Sequence, residues 1–131
     1  MEFYQSVLDI LRGMKRMEFM KWKIGFFAYC GLILWLSSLA PNDLPEQAFA
    51  LPDYVLHLIE YCLLGILAWA AFGGGGGFPW GLFAYCVCFG IADECWQDWW
   101  SRGRSPEVWD AAMDAAGSFI GLLCSMVFWK R

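Results

Sequence analysis

Apolar residues dominate four long stretches of the chain, at about 22–40, 54–72, 78–97 and 106–129. Each stretch has about the 20 residues that a helix needs to cross a bilayer, so the pattern predicts four transmembrane helices. Pro41 ends the first stretch, and the five glycines at 73–77 predict a turn after the second. Ser105-Pro106-Glu107 predicts a helix start, because Ser caps a helix, Pro suits its first position and Glu its first turn. The chain is therefore predicted to form an all-α integral membrane four-helix bundle over residues 22–131.

Residues 1–21 have a different pattern, in which apolar residues recur on one stripe of a helix and basic residues lie elsewhere. The stripe contains Phe3, Val7, Ile10, Met14 and Met17. This arrangement is typical of an amphipathic helix that lies on the cytoplasmic surface of a membrane, and a frayed tail is the alternative. The segment lacks the small-residue cleavage site of a secretory signal.

The composition agrees with a membrane protein, since 60% of the residues are hydrophobic and only 17% are charged. Nine Trp, eleven Phe and five Tyr are too many rings for a small water-soluble domain to bury. No basic surface of the kind that binds nucleic acid is present. The cysteines lie inside the apolar stretches, where Cys acts as a small apolar residue, so no disulfide framework or zinc motif is expected.

The basic residues predict the orientation of the chain in the membrane. Five of the nine precede or begin the first span, and two more end the chain as Lys130 and Arg131. The positive-inside rule therefore predicts that both termini are cytoplasmic and that the loops at 41–53 and 98–106 lie outside. Arg102 and Arg104 in the second of these loops mildly oppose the assignment, but the five basic residues near the N-terminus outweigh them.

Polar residues inside the predicted spans are the strongest sign of function, because a charged group at bilayer depth costs several kcal/mol unless it has a partner. They are His57, Glu60, Asp93, Glu94, Gln97, Asp110 and Asp114. In the four-span topology all of them fall in the outer half of the bilayer, on the side of the Arg102 and Arg104 loop. Five carboxylates then face one histidine and two arginines, so some carboxylates must be protonated or a cation must be bound.

The same residues resemble a known family. Asp53-Tyr54-Val55-Leu56-His57 with Tyr61 and Leu64-Gly65, and Asp93-Glu94-x-x-Gln97 followed by Arg102-x-Arg104-Ser105-Pro106 and Asp110, resemble the motifs of VanZ-like proteins. Ser37-Ser38, Pro41, Gly117 and Gly121 also fit, and the resemblance covers roughly residues 24–128. Two positions depart from the pattern, because Tyr54 replaces a frequent Lys and Asp114 replaces a usual Asn, and both changes make this chain's polar cluster more acidic.

The resemblance implies a multi-pass protein of the bacterial cytoplasmic (inner) membrane, related to a family associated with resistance to the glycopeptide antibiotic teicoplanin. It implies no particular reaction, so enzyme activity, substrate and oligomeric state stay open.

One hypothesis is a membrane-embedded enzyme or binder of a cell-envelope lipid or lipid-linked precursor. His57, oriented by Glu60, would be a general acid or base beside Asp93 and Glu94. Arg102 and Arg104 would hold an anionic head group by forked hydrogen bonds. Further candidate substrate-binding residues are Tyr61, Gln97, Ser105, Asp110 and Asp114. A divalent cation could bind Asp93, Glu94, Asp110 and Asp114.

The alternative is a structural or partner-binding membrane protein, whose ion pairs only hold the four helices together. A third class, a proton or cation carrier, needs polar groups through the whole membrane. Apart from Lys23 at the inner end of the first span, the inner halves of the four predicted spans contain no acidic, basic or histidine residue, which disfavours that class.

Overall fold

The computed structural model describes residues 2–40, 51–100 and 107–129, and every regular element within them is an α-helix. The four helices are α1 (Glu2–Ser37), α2 (Asp53–Phe72), α3 (Trp80–Trp100) and α4 (Val108–Phe128). The predicted all-α four-helix fold is confirmed, and the predicted limits of the last three helices are met to within three residues. The candidate residues Arg102, Arg104 and Ser105 lie outside the described residues, as do Lys130 and Arg131.

The first helix differs from the prediction in one respect. The predicted surface helix (1–21) and the predicted first span (22–40) form a single helix, α1, with no boundary at residues 21–22. Ion pairs one turn apart, Arg12 with Asp9 at 3.4 Å and Lys21 with Glu18 at 3.1 Å, lie on its exposed surface. From Tyr4 to Lys21 almost every side chain is exposed, so this half of α1 extends beyond the bundle. Its location on the membrane surface stays a prediction.

Three of the helices are long and apolar enough to cross a membrane: Tyr4–Ser37 within α1, Asp53–Phe72 and Val108–Phe128. Their outward faces carry exposed large apolar side chains such as Phe27, Leu63 and Leu123. An all-α protein with these surfaces is a membrane protein, because lipid covers apolar faces that water would not.

The helices alternate in direction. At one end of the bundle, the first turns of α2 and α4 meet, since His57 contacts Asp110 and Asp114. At the same end, the last turns of α1 and α3 meet through Trp96 and Ser38. Thus α2 and α4 run in one direction and α1 and α3 in the other. Because α2 and α4 run in the same direction, α3 must return through the bundle between them, although it is not among the three helices that are apolar enough to cross a membrane by composition.

Glycines hold α2 and α4 together. A Cβ at Gly65 would lie 2.6 Å from the carbonyl oxygen of Ser118, and a Cβ at Gly117 or Gly121 would overlap the backbone of Leu58 or Cys62. The two backbones are therefore in direct contact, which is the close approach that small residues four apart permit between membrane helices. The predicted small or polar stripe of α4, which begins at Asp110 and ends at Ser125, is buried as expected.

The end of the bundle opposite the polar residues is aromatic. Trp22 of α1 packs edge-on against Trp129 just after α4, with ring centroids 5.2 Å apart. Phe26 packs edge-on against Phe72 at the end of α2, at 5.3 Å. These ring contacts join the middle of α1 to the ends of α2 and α4, so the polar and aromatic ends of the bundle are separated by the length of the helices.

Candidate polar site

Six buried polar side chains gather at one end of the bundle, and together they are called the polar site. They are His57, Asp93, Glu94, Gln97, Asp110 and Asp114, and none is more than 6% exposed. α2 supplies the histidine, α3 the next three and α4 the last two. Sequence reasoning expected these residues on one side of the membrane, and the structure brings them to one end of the bundle.

His57 is the centre of the polar site. Its Nδ1 lies 2.9 Å from Oδ1 of Asp114 and 3.8 Å from Oε1 of Glu94. On the other side of the ring, Nε2 lies 4.0 Å from Oδ2 of Asp110. The imidazole therefore has a carboxylate of α3 and two carboxylates of α4 around it, and each comes from a helix other than its own.

The contact between His57 and Asp114 follows from the glycine packing of α2 and α4. A Cβ at Gly117 would overlap the carbonyl of Leu58, the residue after His57. One turn earlier on α4, the short Asp114 side chain consequently reaches the histidine ring. Gly90 allows α3 to approach Asp114 closely, because a Cβ at Gly90 would lie 2.9 Å from Oδ2 of Asp114.

The carboxylates of α3 are held by contacts of their own. Oε2 of Glu94 accepts a hydrogen bond from the backbone N–H of Glu107, at 3.3 Å, just before α4 begins. The hydroxyl of Tyr61 donates to Oδ2 of Asp93 at 3.4 Å. Tyr61 was predicted as a substrate-binding residue, and its hydroxyl lies inside the bundle beside Asp93.

Two serines of α1 complete this end of the bundle. The side-chain amide of Gln97 donates to Oγ of Ser37 at 3.3 Å, and Nε1 of Trp96 donates to Oγ of Ser38 at 2.8 Å. Sequence reasoning used these serines only for the family resemblance and assigned them no role. A polar pair near the end of the otherwise apolar stretch 24–40 was the available signal.

Glu60 was predicted to orient His57, and it lies on the same helix as the histidine. Among the described residues, the carboxylates within 4.0 Å of the His57 ring nitrogens are Glu94, Asp110 and Asp114. Glu60 is half-buried three residues further along α2, and its backbone carbonyl accepts a hydrogen bond from Tyr29 at 3.1 Å. Asp114 makes the shortest of these contacts with the ring, and a role for Glu60 in orienting the histidine stays a prediction.

Comparison of the chain with models of protein families, with curated proteins and with solved structures finds no match.

Three carboxylate oxygens of the polar site lack a hydrogen-bond partner among the described residues. They are Oδ1 of Asp93, Oε1 of Glu94 and Oδ2 of Asp114. Burying an acceptor without a partner costs about 1–3 kcal/mol, and more when the group is charged. The excess of carboxylates over the single histidine makes the described part of the polar site strongly acidic.

The arrangement can support two kinds of chemistry. A histidine hydrogen-bonded to a buried carboxylate can transfer a proton, with Asp114 holding the ring. A histidine nitrogen beside two carboxylate oxygens can also bind a divalent cation.

Proposed function

We propose that this chain is a VanZ-like protein that binds or acts on a cell-envelope lipid or lipid-linked precursor through the polar site. The observation that carries the proposal is the buried cluster of His57 with Glu94, Asp110 and Asp114 at one end of a membrane bundle. The relation to teicoplanin resistance comes from the family motifs in Asp53–His57 and Asp93–Asp110.

The depth of the polar site suits a lipid head group. With a rise of about 1.5 Å per residue, His57 is about 6 Å from the start of α2 at Asp53. By the same rise Asp114 is about 9 Å from the start of α4 at Val108. The head-group regions add roughly 5–7 Å to each side of the hydrocarbon core. A polar site at this depth is within reach of the phosphate and polar groups of a bound lipid.

The predicted orientation supports an envelope substrate. The basic residues of α1 precede the aromatic end of the bundle, so the positive-inside rule puts that end in the cytoplasm and the polar site at the outer leaflet. Arg102 and Arg104 lie in the sequence between α3 and α4, close to the ends that supply Glu94 and Asp110. Two arginines there would provide the forked donors that a phosphate accepts.

The excess of acceptors supports a ligand over an internal ion-pair network. A purely structural network is stable when its polar atoms satisfy one another, because unsatisfied buried groups weaken the fold. In the described part of the polar site, Asp93, Glu94 and Asp114 each keep an oxygen without a hydrogen-bond partner. Intramembrane ionisable residues with this arrangement favour a functional site.

A structural role is the second candidate, and it rests on a different observation. The bonds from Trp96 to Ser38 and from Gln97 to Ser37 tie α1 to α3 at this end of the bundle. The polar residues would then fasten the helix ends, and their replacement would lower stability without removing a specific activity.

The two candidates are separated by comparing resistance with folding. The chain is expressed in a teicoplanin-susceptible bacterium as wild type, His57→Gln, Glu94→Gln and Asp98→Asn. Asp98→Asn is the matched control, since it removes an exposed carboxylate four residues after Glu94 on the same helix. We expect wild type and the control to raise the inhibitory concentration of teicoplanin, and the other two variants to lose the effect at equal membrane abundance and helical content.

Resistance that survives both replacements in the polar site would contradict the proposal. Loss of the folded protein in both variants would favour the structural role. A direct measurement completes the test: purified protein is mixed with a polyprenyl phosphate or the uncharged polyprenol, and retention is measured by native mass spectrometry. Retention of the phosphate but not of the polyprenol, lost in His57→Gln but not in Asp98→Asn, is expected.

A further inference from the structure

We propose that His57, Glu94 and Asp114 bind a divalent transition-metal ion, and that Asp110 orients the histidine from outside the metal's ligand set. Metal binding stands on the geometry of these residues and does not depend on the proposed lipid ligand. The proposal differs from the sequence hypothesis, which placed a cation among four carboxylates and included no nitrogen ligand.

The three donor atoms are close enough to share one ion. Each of the residues offers an atom within 4.8 Å of the others, and all three side chains are buried. Nδ1 of His57 lies 2.9 Å from Asp114 and 3.8 Å from Glu94. Bonds of about 2.0–2.2 Å to a tetrahedral ion separate neighbouring ligand atoms by roughly 3.3–3.6 Å. The observed separations lie on either side of this range, so small side-chain movements suffice.

A second, independent observation points to a ligand here. Oε1 of Glu94 faces Nδ1 of His57 and has no hydrogen-bond partner in the part of the chain that the structure describes. The other oxygen of Glu94 is held by the N–H of Glu107, which fixes the direction of the carboxylate. Glu94 is only 6% exposed and Asp114 only 1%, so water does not satisfy these oxygens at an open surface.

The charges agree with a divalent ion. A neutral imidazole and two carboxylates bring two negative charges, which one divalent cation balances. Buried charges without a partner are costly, and a metal ion bound by several oxygens and a nitrogen is one of the few ways to compensate them.

Asp110 lies where a metal-binding histidine usually has a carboxylate partner for its second ring nitrogen. Such a histidine generally donates its second ring N–H to a carboxylate, which fixes its tautomer and raises its basicity. Oδ2 of Asp110 lies 4.0 Å from Nε2 of His57, on the side of the ring away from Glu94 and Asp114. A movement of about 1 Å would bring it to hydrogen-bonding distance.

The donor set selects the kind of ion. Imidazole nitrogen with carboxylate oxygen suits Zn²⁺, Mn²⁺, Fe²⁺ or Co²⁺, whereas Mg²⁺ and Ca²⁺ favour oxygen alone. Three protein ligands leave a position for water or for an oxygen of another molecule, as in catalytic metal sites. A phosphate oxygen of a bound lipid would fit that position, which would explain how an acidic site holds an anion.

The test uses the purified full-length chain in detergent, stripped with a chelator and titrated with Co²⁺ alone, with no lipid present. Co²⁺ is chosen because the chain has six cysteines, and binding to thiolate gives a near-ultraviolet charge-transfer band that nitrogen and oxygen ligands do not give. We expect one Co²⁺ per chain with a visible ligand-field spectrum, no thiolate band, and displacement by Zn²⁺ but not by Mg²⁺.

Variants assign the ligands. His57→Gln and Glu94→Gln should lose the visible spectrum, and Asp110→Asn should weaken binding by about 10–100-fold, as supporting carboxylates do. Asp98→Asn should bind as wild type, and far-ultraviolet circular dichroism should show equal helical content for all variants.

The proposal would be overturned by no Co²⁺ binding to the folded wild type, by unchanged binding in Glu94→Gln, or by a thiolate band that disappears in Cys95→Ser. Loss of binding in Asp53→Asn with full binding in Glu94→Gln would also overturn it. That result would put the ion on the Nε2 side of the ring, where Asp53, His57 and Asp110 form the other group of possible ligands. Because lipid is absent, the metal site and the lipid proposal can fail separately.

Discussion

Replacement of Gly65 by Ala tests whether backbone contact between α2 and α4 builds the polar site. The added Cβ would lie 2.6 Å from the carbonyl oxygen of Ser118 and 3.1 Å from the amide nitrogen of Leu122. Ordinary contact of a Cβ begins at 3.4 Å, so α2 and α4 must move apart locally by about 0.8 Å, which is 3.4 less 2.6. Both obstacles are backbone atoms, and no side-chain rotation can relieve them.

Gly31→Ala is the matched control, because Gly31 is an exposed helical glycine and a Cβ there meets nothing within 4 Å. Both variants gain the same helix propensity, about 1 kcal/mol, so their difference isolates the steric cost. Overpacking costs about 1–3 kcal/mol, and the rigid backbone contact places Gly65→Ala in the upper half of that range relative to Gly31→Ala.

The free energies of unfolding are measured by reversible denaturation with sodium dodecyl sulfate in mixed micelles, followed by far-ultraviolet circular dichroism. If the two variants agree to within about 0.5 kcal/mol, the typical scatter of neutral surface substitutions, the backbone contact is refuted. The glycine stripe would then not explain the contact between His57 and Asp114 either.

Three further predictions concern the ends of the bundle. Trp96→Phe removes the 2.8 Å hydrogen bond to Ser38 and should lower the free energy of unfolding by about 1 kcal/mol. Adding Ser38→Ala should then lower it little further, and full additivity of the two changes would contradict the hydrogen bond. Trp22→Ala and Trp129→Ala should show a coupling of about 0.5–1.5 kcal/mol in a double-mutant cycle, and zero coupling would contradict the edge-on contact. In a cysteine-free background, Ser101→Cys should react with a membrane-impermeant maleimide in intact cells, and reaction only after permeabilisation would reverse the predicted orientation.

The helices could be predicted from the sequence because each depends on information local to its own segment. The apolar stretch that predicts a span at 54–72 becomes α2, Asp53–Phe72, and the glycines after it end the helix. The sequence around Trp22 predicted the limits of its helix less well than the sequence of α2 did. Charged and aromatic residues near Trp22 suggested a boundary between two helices. No proline interrupts the segment, however, and the helix is continuous from Glu2 to Ser37.

The partners within the polar site could be predicted only in part. Helical periodicity gives the residues that share a face, so it brought Asp110 and Asp114 together, and it placed Glu60 near His57 on the same helix. It does not give the face of another helix that a residue meets. Asp114 is 57 residues from His57 in the chain, and only the direct packing of α2 on α4 places the two 2.9 Å apart. Pairings between helices depend on rotation and depth, which no single segment specifies.

The predicted direction of the polar site in the cell depends on the way α1 joins the bundle. At about 1.5 Å per residue, its 36 residues make a helix about 54 Å long, well beyond the roughly 30 Å hydrocarbon core. The part that packs against the bundle, Trp22–Ser37, is about 24 Å long by the same rise, close to one crossing. Everything before Trp22 consequently projects from the aromatic end, away from His57. A surface position for that segment requires a bend near Trp22, whereas a straight α1 would carry it into the aqueous phase. In both cases its basic residues lie on the side opposite the polar site, so the positive-inside rule, which predicts those residues in the cytoplasm, also predicts that the polar site faces outward.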